Sequence, residues 1–579
     1  MKLREAARSI ASDRSRHGEE TQLASRPPHQ ALVPLALIGL SAVVLLPGLG
    51  RLGALDSTDA RYLAIAREMR DHATWLVPHL GGAPHLDKPP LTYWSAALGF
   101  ALFGTSEASG RLVQQIALGM TALCVLGAGR RLADARWAIV APIGLLGMAL
   151  PFGLSRGLAT DLFQLAFVTP ALWLLHESAV RHSAARIAGA LALLGASMLA
   201  KGPIALLVVA AIWATWAAGA GRHARVPLRG VGIGALLFVG IGLPWYAMLA
   251  TREPGILEWL LDVQLASRIQ SGGMGHTKDV TYLLRVWLLG LLPWTPVVML
   301  ALWRLRPRGR MRDADPTDLF VLAWALAPLL LFSLFATKLA AYIAPAFPGA
   351  ALAVARAGSR GLLEDRRARI ALALAWGTTL VGALAAGGIA LGESAFGFDL
   401  LPQLAIERGI VPITSGVLLL ALAAIGAAAS RRLLAAPANH AALGIAVGAC
   451  LVLALGFHAV ASAIPTLRET AQIVRRVPGA RVIAFSFKPS LFFHLGDAVS
   501  VAGVRGLLEP FVDPASAPRL ALTRDAGIGV VCEAAPAFAL VDRRDTGTIP
   551  SACAAVPVHE ARRYTLLANP AAQRALAAE

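Results

Sequence analysis

The stretch IALLVVAAIWATWAAGA, residues 204–220, decides the fold class of this chain. It carries no charged side chain and approaches the ~20 apolar residues that an α-helix needs to cross ~30 Å of hydrocarbon. A second run of the same kind occupies residues 31–48, and others follow along the chain. This repetition predicts a protein built from membrane-spanning helices.

The composition of the whole chain agrees with these local runs. The 579 residues are 56% hydrophobic and only 15% charged, with a mean hydropathy of +0.62. An ordinary water-soluble protein carries a larger share of charged residues. Because so much apolar surface cannot all be buried inside one soluble core, we expect much of it to face lipid.

The distribution of basic residues predicts the topology. The apolar runs centre on residues 31–49, 91–106, 110–129, 135–153, 159–176, 184–200, 203–220, 228–249, 281–304, 317–336, 339–356, 368–391, 409–429 and 440–463. If 91–106 crossed the membrane, the basic clusters that follow it would lie opposite the basic N-terminal tail, against the positive-inside rule. That run is short, follows two prolines and contains Tyr93 and Trp94, which suit a membrane interface. We therefore expect a re-entrant or interfacial helix there and about thirteen spans in all.

The formal net charge of +18 raises the alternative of nucleic-acid binding. The arginines, however, form short clusters between apolar runs and no single basic face with interleaved aromatic residues. Such clusters are typical of cytoplasmic loops in membrane proteins. We therefore exclude nucleic acid as a partner.

Three segments are predicted. Residues 1–30 are polar and basic and lack a cleavable signal sequence, so they form a cytoplasmic tail. Residues 31–464 form the membrane domain, with outer loops at 50–109 and 250–280. Residues 465–579 contain strand-like runs at 481–487, 498–501 and 527–532, which predict a small α/β domain on the outer face.

The four cysteines divide between these segments. Cys124 and Cys450 lie in apolar runs, where packing explains them. Cys532 and Cys553 share the outer compartment, in which disulfides persist. The sequence does not decide whether the geometry permits that disulfide.

Asp59 is the first candidate for chemistry, in the outer loop segment 56–69. It precedes a helical pattern, so the structural alternative is an N-cap. Asn caps a helix about as well as Asp but carries no charge, which means that Asp59→Asn separates capping from catalysis.

Asp161 and Lys88 pose the same choice between structure and function. Asp161 also stands where a helix begins, but a carboxylate at the edge of the hydrocarbon is costly, which favours a function. Lys88 lies between Asp87 and two prolines. Lys88 is either a lysine that snorkels to the membrane interface or a cation that binds a phosphate.

Further cations occur in separate loops on the same predicted face. Lys201 and Lys338 stand at short turns between apolar runs, and Arg61 and Arg268 lie in the longer loops. Their convergence would form a cup for a polyanion. No zinc-finger spacing, nucleotide P-loop or dinucleotide fingerprint occurs, so we expect no nucleotide cofactor.

At these residues the sequence resembles the polyprenyl-phosphate-sugar glycosyltransferases of the GT-C class, in particular the aminoarabinose transferase (ArnT) and protein O-mannosyltransferase relatives. The matching motifs are Asp59-Ala60-Arg61-Tyr62, Ala66-Arg67-Glu68-Met69, Asp87-Lys88-Pro89-Pro90-Leu91 with Tyr93-Trp94, Thr160-Asp161, Lys201-Gly202-Pro203, Pro244-Trp245-Tyr246, Pro293-Trp294, and Lys338 with Tyr342, Pro345 and Pro348. One departure is Thr58, where relatives usually carry a second acidic residue.

The resemblance implies an α-helical polytopic membrane protein of the GT-C fold with about thirteen transmembrane helices and a small periplasmic α/β C-terminal domain. It implies sugar transfer, of 4-amino-4-deoxy-L-arabinose or a similar sugar, from undecaprenyl phosphate to lipid A or another envelope glycolipid. The reaction would take place at the periplasmic face of the bacterial inner membrane. A protein O-mannosyltransferase-like enzyme is the nearest alternative, and a transporter or flippase is disfavoured because the ionisable residues crowd one face.

The site residues follow from the same resemblance. The predicted phosphate and donor contacts are Arg61, Lys88, Lys201, Arg268, Lys338 and Tyr342. Asp59 and Asp161 are the predicted catalytic carboxylates, which orient or deprotonate an acceptor hydroxyl. With Asp87 they are also the predicted ligands of a divalent metal ion. Further candidates are Asp56, Tyr62, Tyr93 and His276.

Overall fold

The computed structural model describes residues 28–252, 255–256, 258, 278–395, 410–461, 464, 466–504, 515, 517–561 and 563–578. The greater part of the predicted cytoplasmic tail and two of the predicted site residues, Arg268 and His276, lie outside these ranges.

All thirteen apolar runs predicted to span form helices. The helices of the membrane domain are Pro28–Leu45, Glu107–Leu132, Ala135–Leu146, Ala149–Leu154, Thr160–Arg181, Ala184–Lys201, Ile204–Ala220, Leu228–Gly242, Pro244–Arg252, Tyr282–Gly290, Thr295–Leu305, Pro316–Ser333, Ala346–Ser359, Arg366–Ala395, Ile410–Ala435 and Ala438–Val460. Within the described ranges, nine helices are long and apolar enough to cross a membrane. A pair bent by 109°, Tyr282–Gly290 with Thr295–Leu305, would make a tenth. The chain is a multi-pass membrane protein.

The helix Ala346–Ser359 lies at the centre of the bundle, and small residues let it pack there. Most of its residues are buried, among them Gly349 and Gly358. A Cβ at Gly349 would lie 2.6 Å from the backbone nitrogen of Ala325, so a larger residue would push two helices apart. Small residues at such contacts allow the close backbone approach from which membrane helices gain packing energy.

The first loop after the opening helix contains two helices, Thr58–Asp71 and Leu91–Phe103, and a short hairpin of β1 (His79–Leu80) and β2 (Ala83–Pro84). The helix Leu91–Phe103 has 13 residues, which at ~1.5 Å per residue give about 20 Å. It is too short to cross the hydrocarbon unaided. Tyr93 and Phe100 are buried on one side, while Leu98 and Leu102 are exposed on the other.

The C-terminal domain holds a five-stranded sheet in the order β4-β3-β5-β7-β6. Its strands are β3 (Arg481–Ala484), β4 (Val499–Val501), β5 (Ala537–Asp542), β6 (Val556–Glu560) and β7 (Tyr564–Ala568). β3 is parallel to β4 and β5, whereas β7 is antiparallel to β5 and β6. Its helices are Arg468–Arg475, Pro489–Leu495, Arg524–Cys532 and Pro570–Ala577. The predicted fold class, a helical membrane domain followed by a small α/β domain, is confirmed.

The strand predicted at residues 527–532 is wrong, because that segment belongs to the helix Arg524–Cys532. Thr523 caps this helix by accepting a hydrogen bond from the backbone N–H of Ala526 at 3.2 Å. Cys532, the last residue of the helix, forms a disulfide with Cys553, and their Cα atoms are 4.6 Å apart. The disulfide that the sequence left undecided is therefore present.

The C-terminal domain packs on the first loop through charged contacts. Arg468 donates to the carboxylate of Glu107 at 2.8 and 3.0 Å. Arg67 donates to the carbonyl oxygen of Phe493 at 2.6 Å. A buried cluster that includes Leu63, Phe100 and Phe493 covers the same contact. The domain is thus held against the loop that carries the predicted catalytic motif.

Candidate active site

The motifs predicted to form the site come together at the end of the bundle that carries the C-terminal domain. Tyr62, Tyr93, Leu158, Phe163 and Ala200 belong to one buried apolar cluster. These residues flank the motifs of the first loop, the start of the helix Thr160–Arg181 and the end of the helix Ala184–Lys201. Segments far apart in sequence are therefore neighbours here.

Asp59 lies in the first turn of the helix Thr58–Asp71 and is buried. Its Oδ1 accepts hydrogen bonds from Arg111 Nε at 3.0 Å and from the backbone N–H of Leu158 at 2.7 Å. Its Oδ2 accepts from Arg111 Nη2 at 2.5 Å and from the backbone N–H of Leu55 at 3.1 Å. This carboxylate is therefore occupied on both oxygens by groups of the protein itself.

Arg111, the partner of Asp59, was not predicted from the sequence. Its side chain is 0% exposed, and beyond Asp59 it donates to the carbonyl oxygens of Leu49, Leu52 and Gly53 at 3.2, 2.6 and 2.9 Å. All five N–H donors of the guanidinium are thus used. An arginine near the start of an apolar run is the signal that could have revealed it, because such a charge needs a partner.

Asp161 and Lys201 form a second ion pair, at 2.5 Å between Oδ1 and Nζ. Asp161 lies in the first turn of its helix and Lys201 in the last turn of the following one, where the helix dipoles favour these charges. Gly202 follows with φ +76°, which lets the chain turn. Lys201 Nζ also lies 5.1 Å from the centroid of the Tyr342 ring.

Lys338 joins this region from another turn. Its side chain is buried, and its ammonium donates to the carbonyl oxygens of Phe335 at 2.6 Å and Lys278 at 3.2 Å. Tyr342 follows in a short 3-10 helix and packs against Phe332, with ring centroids 5.1 Å apart. Lys338 is held by carbonyl dipoles, so its positive charge has no carboxylate partner among the described contacts.

The first loop supplies the remaining cations. Lys88 Nζ donates to Asp87 Oδ1 at 2.8 Å and to the carbonyl oxygen of the same residue at 2.9 Å. Arg61 lies with its guanidinium carbon 5.9 Å from the centroid of the Phe487 ring. Its Nε is buried and makes no hydrogen bond within the described part of the chain.

The pKa of His85 depends on burial and on the charges of this loop. Burial lowers the pKa of His85 to about 4, the nearby Asp87 raises it, and Arg61 and Lys88 lower it further. The imidazole is therefore neutral at pH 7. Positive charge beside it comes from the arginine and the lysine.

Two tyrosines pack between these groups. The rings of Tyr62 and Tyr93 meet edge to face, with centroids 5.1 Å apart. Tyr93 is fully buried, and burial raises the pKa of its hydroxyl well above the usual value. It stays protonated, so it can donate a hydrogen bond but cannot act as a base near neutral pH.

Asp56 has a different neighbourhood from Asp161. Its Oδ1 accepts a hydrogen bond from the backbone N–H of Ser490 at 3.0 Å, and its Oδ2 lies 3.9 Å from Lys488 Nζ. Both partners belong to the C-terminal domain. Phe487 and Lys488 were not predicted from the sequence, since nothing in the sequence links that domain to the first loop.

The metal site predicted at Asp59, Asp87 and Asp161 is not assembled. Each carboxylate is paired with its own cation, Arg111, Lys88 or Lys201. In the described ranges no three His, Cys, Asp or Glu side chains lie together in a way that could hold a metal ion. Because a bound cation would have to displace these partners, the residues do not fit a metal ion, and we derive no step through one.

Comparison with known proteins agrees with these motifs. The family described as dolichyl-phosphate-mannose-protein mannosyltransferase matches residues 87–246. The match includes Lys88, Asp161 and Lys201 but begins after Asp59.

Two relatives are named undecaprenyl phosphate-alpha-4-amino-4-deoxy-L-arabinose arabinosyl transferase. The protein of Edwardsiella ictaluri is 32% identical over 370 residues, 58% of this chain and 65% of the relative. The first such protein of Sodalis glossinidius is 32% identical over 343 residues, 55% of this chain and 58% of the relative. The chain thus spans less than two thirds of the length of these relatives.

The fold has a solved counterpart over nearly its whole length. The structure of ArnT from Cupriavidus metallidurans bound to undecaprenyl phosphate superposes with a TM-score of 0.70 at 20% identity. The superposition covers 93% of this chain and 98% of ArnT. The chain is therefore similar in sequence to this mannosyltransferase family and to the arabinosyl transferases, and it has the fold of ArnT over nearly its whole length.

Proposed function

We propose that the protein is an inner-membrane glycosyltransferase. It transfers a sugar, 4-amino-4-deoxy-L-arabinose or a close analogue, from undecaprenyl phosphate to lipid A or another envelope glycolipid. In this proposal the site and the C-terminal domain face the periplasm. The names of the relatives and the bound lipid of the structural counterpart support the donor, and the predicted topology supports the side of the membrane.

The observation that carries the proposal is the gathering of cations from separate loops at one end of the bundle. Lys88 and Arg61 come from the first loop, Lys201 from a hairpin turn and Lys338 from a later turn. The departing group in this reaction is a lipid-linked phosphate. Cations fixed in place before the reaction stabilise the negative charge that develops on such a group.

Asp161 is a carboxylate that could serve the acceptor. Asp161 is held by Lys201 on Oδ1, and no described hydrogen bond goes to its other oxygen. It is therefore placed to accept a hydrogen bond from an acceptor hydroxyl, or its proton. If the acceptor is a lipid A phosphate, which is already anionic near pH 7, orientation is the main task of Asp161.

A protein O-mannosyltransferase-like activity is the second candidate, because the matched family carries that description. Its acceptor would be a Ser or Thr hydroxyl, which requires a stronger base than a phosphate does. The two proposals differ in the acceptor and share the phosphate-linked donor.

The test is transfer by the purified protein with undecaprenyl-phosphate aminoarabinose and either lipid A or a Ser/Thr peptide. We expect mass spectrometry to show lipid A carrying the added sugar and an unmodified peptide. A modified peptide with unmodified lipid A would support the second candidate. Absence of transfer from polyprenyl-phosphate sugars to either acceptor would overturn both.

The proposed orientation has its own test. In a variant with Cys124→Ser and Cys450→Ser, the only free thiol would be one introduced as Ala108→Cys, because the other two cysteines form the disulfide. We expect a membrane-impermeant reagent to label it from the periplasm. Labelling from the cytoplasm alone would contradict the orientation.

A further inference from the structure

One edge of the C-terminal sheet gathers basic residues from three strands. Because β3 and β5 are parallel, with Ala484 opposite Leu540, their carboxyl ends lie at the same edge. Lys488 follows β3, and Arg543 and Arg544 follow β5. The antiparallel β7 begins at this edge, where Tyr564 pairs with Asp542.

An open cavity lies at this edge. It has a volume of about 390 Å³ and is lined by Asp542, Arg543, Arg544 and Arg563. Arg543 pairs with Glu560 at 2.8 Å, and Arg563 lies 3.5 Å from Asp542. The side chains of the two arginines remain 57% and 76% exposed, so both can reach a ligand. With one carboxylate among four lining residues, the cavity is suited to an anion.

The same edge continues into the candidate site. Lys488 Nζ lies 4.2 Å from the centroid of the Tyr564 ring and 3.9 Å from Asp56 of the first loop. The residue before it, Phe487, contacts the guanidinium of Arg61. Tyr564, which follows Arg563 in the chain, therefore connects the arginine cavity with Lys488, and Phe487 connects the same end of the sheet with Arg61.

We infer that this basic edge receives the phosphorylated saccharide headgroup of the acceptor glycolipid. The inference rests on the proposed function and adds the residues that select the acceptor. Guanidinium groups bind phosphate through paired hydrogen bonds, and three of the four residues that line the cavity are arginines. The donor, by contrast, is expected at Lys201, the last residue of its membrane helix, and at Lys338, in the turn after the helix Pro316–Ser333.

The kinetic test compares two variants on the same sheet. In Arg543→Gln/Arg563→Gln we expect KM for phosphorylated lipid A to rise roughly tenfold, while kcat and KM for the donor stay at parental values. The control is Arg481→Gln, because Arg481 is 49% exposed and lies at the amino end of β3, away from this edge. We expect parental constants for the control. Equal acceptor KM in the double variant and the control would overturn the inference.

Dephosphorylated lipid A shows whether phosphate is the recognised group. We expect the parent to have a raised KM for it and the double variant to add no further increase. A further increase would show that the arginines act through something other than phosphate, contrary to the inference. Thermal unfolding of the double variant should match the parent, since both side chains are largely exposed.

A binding experiment separates this inference from the proposed function. We expect the detergent-solubilised parent to bind phosphorylated lipid A about tenfold more tightly than the double variant, with equal affinity of both for undecaprenyl phosphate. A variant that lost undecaprenyl phosphate and kept lipid A would place the donor at this edge and overturn the inference. If the parent transferred no sugar yet showed the expected binding, the proposed function would be wrong, but the basic edge would still be a binding surface for phosphorylated lipid A.

Discussion

The two ion pairs Asp59–Arg111 and Asp161–Lys201 look alike in outline and differ in their surroundings. Each joins an aspartate in the first turn of a helix to a cation from another helix, and each is 2.5 Å long. In the first pair the side chains are 4% and 0% exposed. In the second they are 13% and 9% exposed.

The difference extends to the hydrogen bonds. Asp59 accepts from Arg111 on both oxygens and from two backbone N–H groups. Asp161 accepts one described hydrogen bond, from Lys201. A carboxylate that accepts hydrogen bonds from the protein on both oxygens holds loops together. A carboxylate with no described hydrogen bond on one oxygen can bind a substrate. A charged residue at the start of a helix therefore does not by itself identify a catalytic group.

The largest effect is expected from breaking the first pair. Asp59→Asn leaves the buried guanidinium of Arg111 without its counter-charge, which costs about 3 to 5 kcal/mol when a buried pair is broken. We expect a clear drop in the thermal unfolding temperature of the detergent-solubilised protein, and lower activity as a consequence. This differs from the stability-neutral result that a capping residue alone would give.

The matched control removes both charges. In Asp59→Asn/Arg111→Gln no unpaired charge stays buried, so the double variant should be less destabilised than the sum of its single variants. If Asp59→Asn instead kept parental stability and lost activity, the catalytic role predicted for Asp59 would be supported.

The same substitution at the second carboxylate should act on activity. Asp161→Asn is expected to lower kcat by on the order of a hundredfold, if the carboxylate orients or deprotonates the acceptor. Its effect on thermal stability should be smaller than that of Asp59→Asn, since Lys201 is partly exposed and also contacts the Tyr342 ring. Near-parental turnover would assign this pair a structural role as well.

Two further predicted phosphate contacts come next. Lys88→Ala and Lys338→Ala each remove a charge-assisted contact to phosphate, worth ~1.5 to 3 kcal/mol, or roughly ten- to 150-fold in transfer rate. Lys278→Ala serves as the control because its side chain is exposed and only its backbone contacts Lys338. Transfer at the control rate in both variants would show that Lys88 and Lys338 do not contact the donor phosphate.

Much of the fold was predictable because it follows from local patterns. Apolar runs near the span length become helices wherever lipid or other helices surround them, and the thirteen predicted runs do so. The short run at 91–106 forms a helix of 13 residues. The C-terminal domain was less predictable, since an apolar, strand-like run there belongs to the helix Arg524–Cys532, which Thr523 caps.

The site was predictable at the level of residues and less so at the level of contacts. The turns at Lys201 and Lys338 could be identified because a charged residue between apolar spans is conspicuous. The partners Arg111 and Lys488 could not be assigned, because their contacts join segments 52 and more than 400 residues apart. Long-range pairing of this kind depends on the packing of the whole bundle, which no local pattern encodes.

The smallest effect on the transfer rate is expected at Tyr342, whose ring contacts Lys201 of the second ion pair. Lys201 Nζ lies 5.1 Å from the Tyr342 centroid, a cation–π distance worth about 0.5 to 2 kcal/mol. Tyr342→Phe keeps the ring and should lower the transfer rate only a few-fold, unless the hydroxyl touches the donor phosphate. Tyr342→Leu removes the ring, so Lys201 loses a contact that holds it beside Asp161, and we expect a loss of roughly two- to thirtyfold. Steady-state transfer rates of the two variants measure the difference. If Tyr342→Phe is as impaired as Tyr342→Leu, the hydroxyl and not the ring carries the effect, and Tyr342 acts as a direct donor contact, as its place in the family resemblance implies.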